Sequence, residues 1–391
     1  MKRVVLLTGH FPFQKRRSSL LWVSDHLQSM GWHVTHATVG YSWLSWVKGD
    51  ARIKALNTPP KAGHLHPKST LSTLFGYAPF HPVNLRHASL NSLSQCAWPL
   101  FTQYWSARLR TSLAQADLVI CESGPPVLLA PILKRHASQV PRIYRVNDNI
   151  ALLEAPDGLI IAEKQLAPQF TRISTASPLL ANHFRDHSNV TLDAMGIPRE
   201  QVDGLHFDPY PRSDDAKIAV CAGTKQIDMV ALSHLANARP NWQLHILGRL
   251  KTHPPWHRNI TWHGEQSFEQ TLSFIAHADI GLAPYLDQPG IAYQTTNSNR
   301  MLLYRHFGLP IIGPDRLCDP NIPTIIGYSE PCALDRCESM TRRPEIIADW
   351  SYLAQSLVQN GVTDPPREVS IDPADASNPR VKTVPALASK A

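Results

Sequence analysis

Apolar runs and amphipathic segments alternate through the first half of the chain, the pattern of a sheet covered by helices. Short apolar runs predict strands at Val4–Thr8, Val34–Val39, Leu118–Cys121, Ile143–Val146, Arg172–Thr175 and Val190–Leu192. Segments with a helical period predict helices at Ser18–Met30, Pro126–Ala137, Leu159–Ala167 and Pro178–Asp186. The first half therefore predicts one α/β sheet.

A second series of the same kind follows a proline-bearing stretch, Gly196 to Asp215, which we interpret as a linker. Strands are predicted at Lys217–Cys221, Gln243–Leu247, Ile260–Trp262, Ile280–Pro284 and Pro310–Ile312, and helices at Ile227–Ala238, Phe268–Ala276 and Ser298–Phe307. Open α/β sheets bind ligands at the carboxyl ends of their strands. Two such domains in sequence therefore predict a ligand cleft between them.

The predicted boundaries are 1–200 for a first Rossmann-like domain and 201–345 for a second one. A helix at Ile346–Gln359, within 346–360, is expected to return towards the first domain. Residues 361–391 hold five prolines and no apolar period, which predicts a disordered tail. Residues 41–100 are rich in Pro, His, Ser and aromatic side chains, so we expect an irregular insertion with a functional role.

Charge is distributed unevenly along the 391 residues. The first 150 hold 17 Lys and Arg against 5 Asp and Glu, and the remainder hold 21 against 26. The basic half should be attracted to phosphates or anionic lipid headgroups. Nucleic acid is not an expected partner because no nucleic-acid-binding motif is present. The apolar run after Met1 is short for a signal peptide, and no segment is long enough to span a bilayer, so we expect a cytoplasmic protein.

The chain lacks the motifs of several enzyme classes. No G-x-G-x-x-G follows the first strand, no Walker motif occurs, and no Asp-x-Asp stands ready to hold a divalent metal. A leaving diphosphate would then be neutralised by a helix N-terminus and cations. Asn297 to Arg300, before a predicted helix, fits this need: Ser298 or Asn297 can cap the helix while Arg300 adds charge. Plain capping with a solvated Arg300 is the alternative.

Asp148 follows the predicted strand Ile143–Val146, where the cleft should open. A carboxylate there could remove a proton from an acceptor hydroxyl as its oxygen attacks an anomeric carbon, or it could cap the next helix. Gly223 and Gly248 follow strands of the second domain, where glycine permits either close approach of a nucleotide or a tight turn. Asp228 is expected one turn into a helix facing the cleft.

Indole rings and cations are interleaved in the insertion, at Trp43, Trp46, Lys48, Arg52 and Lys54. This mixture suits a membrane interface, and a partly buried loop with a solvated rim is the alternative. The basic run Lys15-Arg16-Arg17 could grip an acceptor diphosphate or form an exposed turn. His64 and His66 lack the spacing of a metal motif and are interpreted as solvated loop residues.

The chain resembles the GumK-like glucuronosyltransferases, glycosyltransferase family 70, from about His10 to Ser351. The matching positions keep their order and near-constant spacing: Arg16-Arg17, Lys48-Gly49-Asp50 with Arg52, Glu122-Ser123-Gly124, Tyr144-Arg145 before Asp148, Ser177-Pro178, Gly223 with Asp228, Gly264-Glu265, Ala283-Pro284-Tyr285, Gly308-Leu309-Pro310 and Trp350-Ser351.

The resemblance implies a GT-B fold, α/β with two Rossmann-like domains and an interdomain cleft. It implies inverting, metal-independent transfer of glucuronate from UDP-glucuronate to a polyprenyl-diphosphate-linked oligosaccharide in exopolysaccharide biosynthesis, without a cofactor, on the cytoplasmic face of the inner membrane. The predicted base is Asp148. The predicted donor-binding residues are Gly223, Thr224, Lys225, Asp228, Gly248, Glu265, Gln266, Tyr285, Ser298, Asn299 and Arg300. The predicted acceptor or membrane residues are Arg16, Arg17, Trp43, Trp46, Lys48 and Arg52.

Five positions depart from the family pattern. A Met-Lys pair is Asn299-Arg300 here, a glutamine is Leu303, a glutamate is His183, and a methionine in the glycine loop is Lys225. A cation for the diphosphate survives, but the donor sugar stays open between glucuronate and another hexose. A nucleotide-sugar epimerase and an inactive lipid-binding homologue remain the alternatives.

Overall fold

The computed structural model describes residues 1–12, 17–42, 45, 47, 65–67, 70–78, 107–153, 155–211, 216–250 and 257–362. The strands in these ranges form two separate sheets, one of eight strands and one of six. The predicted α/β class with two sheets of mostly parallel strands is confirmed.

The first sheet has the order β3-β4-β2-β1-β5-β6-β7-β8, and all its neighbouring strands are parallel except β3 and β4. Its strands are β1 Arg3–Thr8, β2 His33–Ser42, β3 Leu65–Pro67, β4 Leu71–Ala78, β5 Leu118–Glu122, β6 Arg142–Val146, β7 Arg172–Thr175 and β8 Val190–Leu192. The central strands are apolar runs because helices cover both faces of a parallel sheet. The strand order changes direction between β1 and β5, which opens a crevice at their carboxyl ends.

The second sheet has the order β11-β10-β9-β12-β13-β14 and is parallel throughout its described pairs. Its strands are β9 Lys217–Ala222, β10 Trp242–Leu247, β11 Ile260–Gly264, β12 Ile280–Leu282, β13 Ile311–Gly313 and β14 Ile325–Gly327. Here the order changes direction between β9 and β12. The loops after β9 and β12 therefore leave towards opposite faces of the sheet and open a crevice at the carboxyl ends, next to the candidate site.

The α-helices in the described ranges are Ser19–Ser29, Ala107–Ala114, Ala130–His136, Asp157–Leu166, Pro178–Ala181, Arg199–Val202, Met229–Ala238, Phe268–His277, Gln294–Asn297, Asn299–His306, Ala333–Ser339 and Trp350–Val362. The start of Phe268–His277 shows how sequence fixes a boundary. The hydroxyl of Ser267 accepts from the Gln270 amide while the Gln270 side chain accepts from the Ser267 amide, a capping box. Within the described residues, no helix is both long and apolar enough to cross a membrane.

The described part of the stretch 41–100, which was expected to be irregular, contains strands. Within it, β4 pairs in parallel with β2 and forms an antiparallel pair with β3. The described segment Ser72–Phe75 is buried, and its β-branched and aromatic side chains suit a sheet. The surrounding Pro and His residues obscured this short strand in the pattern.

Three further boundaries differ from expectation. The helix predicted at Pro178–Asp186 is one α-turn, Pro178–Ala181, followed by a 3-10 turn, and the helix predicted from Ile346 begins at Trp350. It runs to Val362, so the first two residues of the predicted tail are helical. Residues 363–391 lie outside the described residues. Neither β14 nor the helix Ala333–Ser339 was predicted, because each is short and lacks a distinct period.

The C-terminal helix Trp350–Val362 contacts the first domain through a buried polar network. Arg172 donates to both oxygens of Asp193, at 2.7 and 2.6 Å, and to the carbonyl of Ser356 at 3.1 Å. The Ser356 hydroxyl donates to Asp193. Burial alone would raise the pKa of the Asp193 carboxyl, but Arg172 and Arg145 outweigh it and hold the pKa below its ordinary value. After the second domain the chain thus returns to the first, where its last helix packs beside Ser19–Ser29 and against β5 and β6.

Candidate active site

Asp148 lies where the two sheets face each other. It stands two residues after β6, and its Oδ1 accepts a hydrogen bond from the hydroxyl of Tyr293, at 3.0 Å. The Nζ of Lys225 lies 3.6 Å from Oδ2 of the same carboxylate. Tyr293 and Lys225 both belong to the second half of the chain, so the Asp148 side chain bridges the gap between the two halves. The carboxylate is partly exposed there and can reach a bound molecule.

The residue before Asp148 fixes the turn that carries it. The Asn147 amide donates to the hydroxyl of Ser19, at 2.9 Å, and to Oε1 of Glu122, at 3.1 Å. Its Oδ1 accepts from Nε of Arg145, at 2.9 Å, and its backbone carbonyl accepts from Asn297. Because every polar group of this buried side chain has a partner, the peptide leading into Asp148 is held in one geometry.

Tyr293 holds the carboxylate from the opposite domain. Its hydroxyl also accepts from the side-chain amide of Gln294, at 2.6 Å, so the three groups form a chain from Gln294 through Tyr293 to Asp148. Burial and the nearby Asp148 charge raise the pKa of Tyr293 far above its ordinary value, so the hydroxyl remains a donor. Sequence reasoning missed Tyr293, since it lies in the 3-10 turn Ile291–Tyr293 and no motif marks it.

Two glycine turns form the floor of the site in the second domain. Gly223 follows β9 with φ 102°, and Gly248 follows β10 with φ 130°, values that L side chains rarely adopt. The Gly223 amide donates to the carbonyl of Leu247, at 2.8 Å. A Cβ at Gly248 would lie 2.9 Å from the Thr224 hydroxyl oxygen. Both the backbone conformation and the space therefore require glycine at position 248, and the backbone conformation favours it at position 223.

Arg300 lies directly beneath the first glycine turn. Its Nε donates to the carbonyl of Ala222, at 2.9 Å, and its Nη2 donates to the carbonyl of Gly223. The guanidinium carbon stands 4.6 Å from the ring centre of Tyr285, within range of a cation–π contact. The side chain is buried, yet Nη1 has no hydrogen-bond partner among the described residues. The Arg300 side chain is thus a cation held in one position, and its Nη1 remains without a partner in the described ranges.

The helix that contains Arg300 begins differently from the prediction. It runs from Asn299 to His306, with Asn299 exposed at its first position and Ser298 at the N-cap. The Ser298 side chain makes no cap bond, because its hydroxyl oxygen instead accepts from the Tyr285 hydroxyl, at 2.6 Å. Asn297 does not cap the helix either, because its Oδ1 has no hydrogen-bond partner among the described residues, while its side-chain amide donates across the interface to the carbonyl of Asn147. The backbone N–H groups of the first turn consequently receive no side-chain cap from these residues.

The structure also corrects the expected place of Asp228. It is the N-cap of the helix Met229–Ala238, where its Oδ1 accepts from the amides of Val230 and Ala231, at 2.8 and 3.0 Å. It therefore precedes the helix, rather than lying one turn inside it. Aspartate is a favoured N-cap residue, which accounts for Asp228 at this position. Its backbone amide donates to the carbonyl of Pro284 and so links the helix to the loop that carries Tyr285.

The loop after β11 closes the side of the site near Gly248. The Gly248 amide donates to the carbonyl of Gly264, at 2.6 Å, and Glu265 pairs with Arg249 across 2.5 Å. The Gln266 side chain donates to the carbonyl of His263, at 2.6 Å. Glu265 and Gln266 are thus brought to the second glycine turn, as expected for a donor-binding loop, although both already have partners within the protein.

Of the predicted acceptor residues, the described part of the chain includes only Arg17. Its guanidinium donates to Asp25 and lies 4.2 Å from the ring centre of Trp22, so it rests on its own helix. The other predicted acceptor or membrane positions lie outside the described residues: Arg16, Trp43, Trp46, Lys48 and Arg52. Lys15, Lys54 and His64 also lie outside them. No group of three or more His, Cys, Asp or Glu side chains that could hold a metal occurs among the described residues.

Two sequence comparisons point to one group of proteins. Residues 6–176 match the family model described as the glucuronosyltransferase GumK, N-terminal domain. The chain is 24% identical over 326 residues to a protein of Xanthomonas campestris pv. campestris named UDP-glucuronate:glycolipid 2-beta-glucuronosyltransferase, covering 81% of this chain and 78% of that one. The resemblance inferred from scattered short motifs is therefore confirmed.

Solved structures agree on the fold. The α,α-trehalose 6-phosphate synthase of Burkholderia multivorans superposes with a TM-score of 0.59, at 10% identity, over 92% of this chain and 98% of that one. The E. coli trehalose-6-phosphate structure bound with UDP-2-fluoro glucose gives a TM-score of 0.55, at 10% identity, over 92% and 96%. The chain is thus similar in sequence to the GumK glucuronosyltransferases, and its two largely parallel sheets with a cleft at their carboxyl ends form the GT-B fold.

Proposed function

We propose that this chain is an inverting glycosyltransferase that moves glucuronic acid from UDP-glucuronate to a lipid-linked oligosaccharide. One observation carries the proposal: the Asp148 carboxylate of the first domain faces the glycine turns and buried Arg300 of the second. A carboxylate on one side and an anion-binding surface on the other are the two parts that displacement at an anomeric carbon needs. The GumK relative, named for this activity, supports the choice of donor.

The reaction needs one base and one leaving group. Asp148 accepts the proton of the acceptor hydroxyl as that oxygen forms a bond to the anomeric carbon from the face opposite the diphosphate. The bond from the anomeric carbon to the diphosphate oxygen breaks, and its electron pair leaves with UDP. Because attack and departure are on opposite faces, the configuration inverts and no covalent enzyme intermediate forms.

We assign Arg300 to the leaving diphosphate. Its Nε and Nη2 donate to the carbonyls of Ala222 and Gly223, which fixes the side chain, and its Nη1 has no hydrogen-bond partner among the described residues; both observations support the assignment. The N-terminus of the helix Asn299–His306 adds backbone N–H groups and a positive dipole end. We assign charge neutralisation to these groups, and metal independence is part of the proposal.

We propose a polyprenyl-diphosphate-linked acceptor at the cytoplasmic face of the inner membrane, in exopolysaccharide biosynthesis. The relative's name specifies a glycolipid acceptor, which supports a lipid-linked substrate. The excess of Lys and Arg in the first 150 residues supports a partner surface of anionic headgroups or acceptor phosphates.

A donor panel tests the proposal. The purified chain is incubated with radiolabelled UDP-glucuronate, UDP-glucose or UDP-N-acetylglucosamine and a membrane extract containing lipid-linked glycans, with and without EDTA. We expect label from UDP-glucuronate to enter the organic phase, with equal yield in EDTA. Transfer from another sugar alone would overturn the donor assignment, and loss in EDTA would overturn metal independence. Release of an epimerised nucleotide sugar without lipid would replace transfer by epimerisation.

A further inference from the structure

We propose that Lys225 forms a subsite for the carboxylate of a uronate donor, and that a bound uronate draws this ammonium away from Asp148 and so frees the base. The inference rests on the proposed function, since it specifies how the same site selects an acidic donor. It begins from the ion pair across the domain gap, in which Nζ of Lys225 lies 3.6 Å from Oδ2 of Asp148.

The loop that carries Lys225 is held on both sides. The Thr224 hydroxyl donates to the carbonyl of Arg249. Gln226 has φ 55°, an uncommon backbone conformation for a residue other than glycine, and its side-chain amide donates to the carbonyl of Leu152 in the first domain, at 2.6 Å. Because both neighbours are fixed, the backbone presents the Lys225 ammonium at the mouth of the cleft, and only the flexible lysine stem remains free to move.

The other cations of the described site have partners that keep them elsewhere. Arg300 bonds two carbonyls beneath the glycine turn, and Arg249 pairs with Glu265. Lys225 differs because its partner is the proposed base itself. About half of its side chain is exposed, so the ammonium can exchange one carboxylate for another without crossing a packed interior.

The exchange explains how donor charge would control the reaction. An ammonium 3.6 Å from Oδ2 of Asp148 occupies the side of the carboxylate that an acceptor hydroxyl would have to approach. The acceptor hydroxyl must lie within hydrogen-bond reach of Asp148 and in contact with the anomeric carbon, so the donor sugar ring lies beside Lys225. A uronate presents a second carboxylate to this ammonium, whereas a neutral hexose offers only hydroxyls. Lys225 would then favour the acidic donor both in binding and in the chemical step.

Substitution at Lys225 tests the inference with two kinds of measurement. Wild type, Lys225→Gln, Lys225→Arg and the exposed control Lys134→Gln are compared for kcat/KM with UDP-glucuronate and UDP-glucose, and for Kd with both donors and with UDP. We expect Lys225→Gln to lower the ratio of kcat/KM for the two donors by about 10- to 100-fold, the range of a hydrogen bond to a charged group. Lys225→Arg should keep most of the ratio, and the affinity for UDP should not change.

The measurements on these variants distinguish the ways in which the inference could be wrong. A parallel loss of UDP affinity in Lys225→Gln would assign Lys225 to the diphosphate, and an equal fall for both donors would show that it does not discriminate; either result overturns the subsite. Wild type that transfers no sugar would overturn the proposed function, and the Kd values would still decide whether Lys225 selects a uronate. An effect of the same size in Lys134→Gln would show a nonspecific loss of charge.

Discussion

The two carboxyl edges that form the site are built in different ways. At the first, side chains fix the geometry: Asn147 bonds Ser19, Glu122 and Arg145, and thereby sets the turn before Asp148. At the second, backbone does so: Gly223 and Gly248 bring two turns into contact. The first edge presents one carboxylate, and the second presents N–H groups and a buried cation.

This difference follows from what each edge has to recognise. A base must reach one proton at one position, so its side chain needs a network of directional hydrogen bonds that holds it in a single orientation. A diphosphate is a large anion with many oxygens, and backbone N–H groups with one fixed arginine suit it. Substitutions of Asp148 and of the groups that position it should therefore alter turnover, and substitutions of the glycine turns or of Arg300 should alter nucleotide affinity.

The largest effect on nucleotide binding is expected from Arg300→Met. Loss of the buried guanidinium should weaken UDP binding by about 10- to 100-fold, since a charge-assisted hydrogen bond is lost. Isothermal titration with UDP measures this. Arg300→Lys should recover part of the affinity because the charge returns without the fork of donors.

The exposed Arg316, paired with Asp287, provides the matched control for this change. Arg316→Met should bind UDP as wild type does. A thermal melt without nucleotide checks that Arg300→Met is folded. A folded Arg300→Met protein with unchanged UDP affinity would remove Arg300 from the diphosphate site.

A smaller effect, on turnover alone, is expected from Tyr293→Phe. The change removes the hydroxyl that donates to Asp148 and leaves Gln294 without its acceptor. We expect kcat to fall about 10-fold while KM for the donor stays near its wild-type value, because orientation of the base is lost and not binding. Steady-state kinetics measures both, with Tyr352→Phe, an exposed tyrosine on the C-terminal helix, as control. A rise in KM with kcat unchanged would make Tyr293 a binding residue.

The smallest effect is expected from a change in the buried network of Arg172, Asp193 and Ser356, which joins the C-terminal helix to the first domain. Ser356→Ala removes a hydroxyl that donates to Asp193, and should lower the free energy of unfolding by about 1 kcal/mol at neutral pH, with turnover unchanged. The pKa of Asp193 is depressed in the folded protein, so its stabilising contribution is present above the unfolded pKa of about 3.9 and is lost as pH falls through the folded value.

Urea unfolding at pH 7 and at pH 3 measures this contribution. The difference between wild type and Ser356→Ala should shrink as the pH falls through the depressed pKa of folded Asp193, because the Ser356 hydroxyl then no longer donates to a charged carboxylate. The exposed Ser188→Ala provides the control and should match wild type at both values. A difference that is independent of pH would place the effect of Ser356 outside the Asp193 network.

Much of the fold could be predicted from the sequence because parallel strands are continuous apolar runs. The predicted strand Arg172–Thr175 matches β7 in full, and Ile143–Val146 matches β6 to within one residue. The strands β4, of eight residues, and β14, of three, were not predicted. Pairing with neighbouring strands stabilises them, and their own sequence pattern is indistinct. Helix starts were misplaced where a capping residue, such as Asp228, was taken for part of the helix.

Residues of the candidate site could be predicted from the sequence only where they closely follow a predicted strand. Asp148, Gly223 and Gly248 follow strands, so the carboxyl-edge rule placed them together. Tyr293 could not be found, because its contact with Asp148 spans 145 positions and arises from how the domains meet. The pairing of Lys225 with Asp148 was hidden for the same reason, although the sequence marked both residues.

The most direct test of the proposed division between the two edges is Asp148→Asn, an isosteric change that removes the base alone. We expect sugar transfer to fall by at least about 100-fold, and up to about 10⁴-fold, while the Kd for UDP, titrated on the same protein sample, stays at its wild-type value. Near-normal transfer by a folded Asp148→Asn protein would contradict Asp148 as the base. Loss of UDP affinity in step with transfer would contradict the assignment of chemistry to one domain and nucleotide binding to the other.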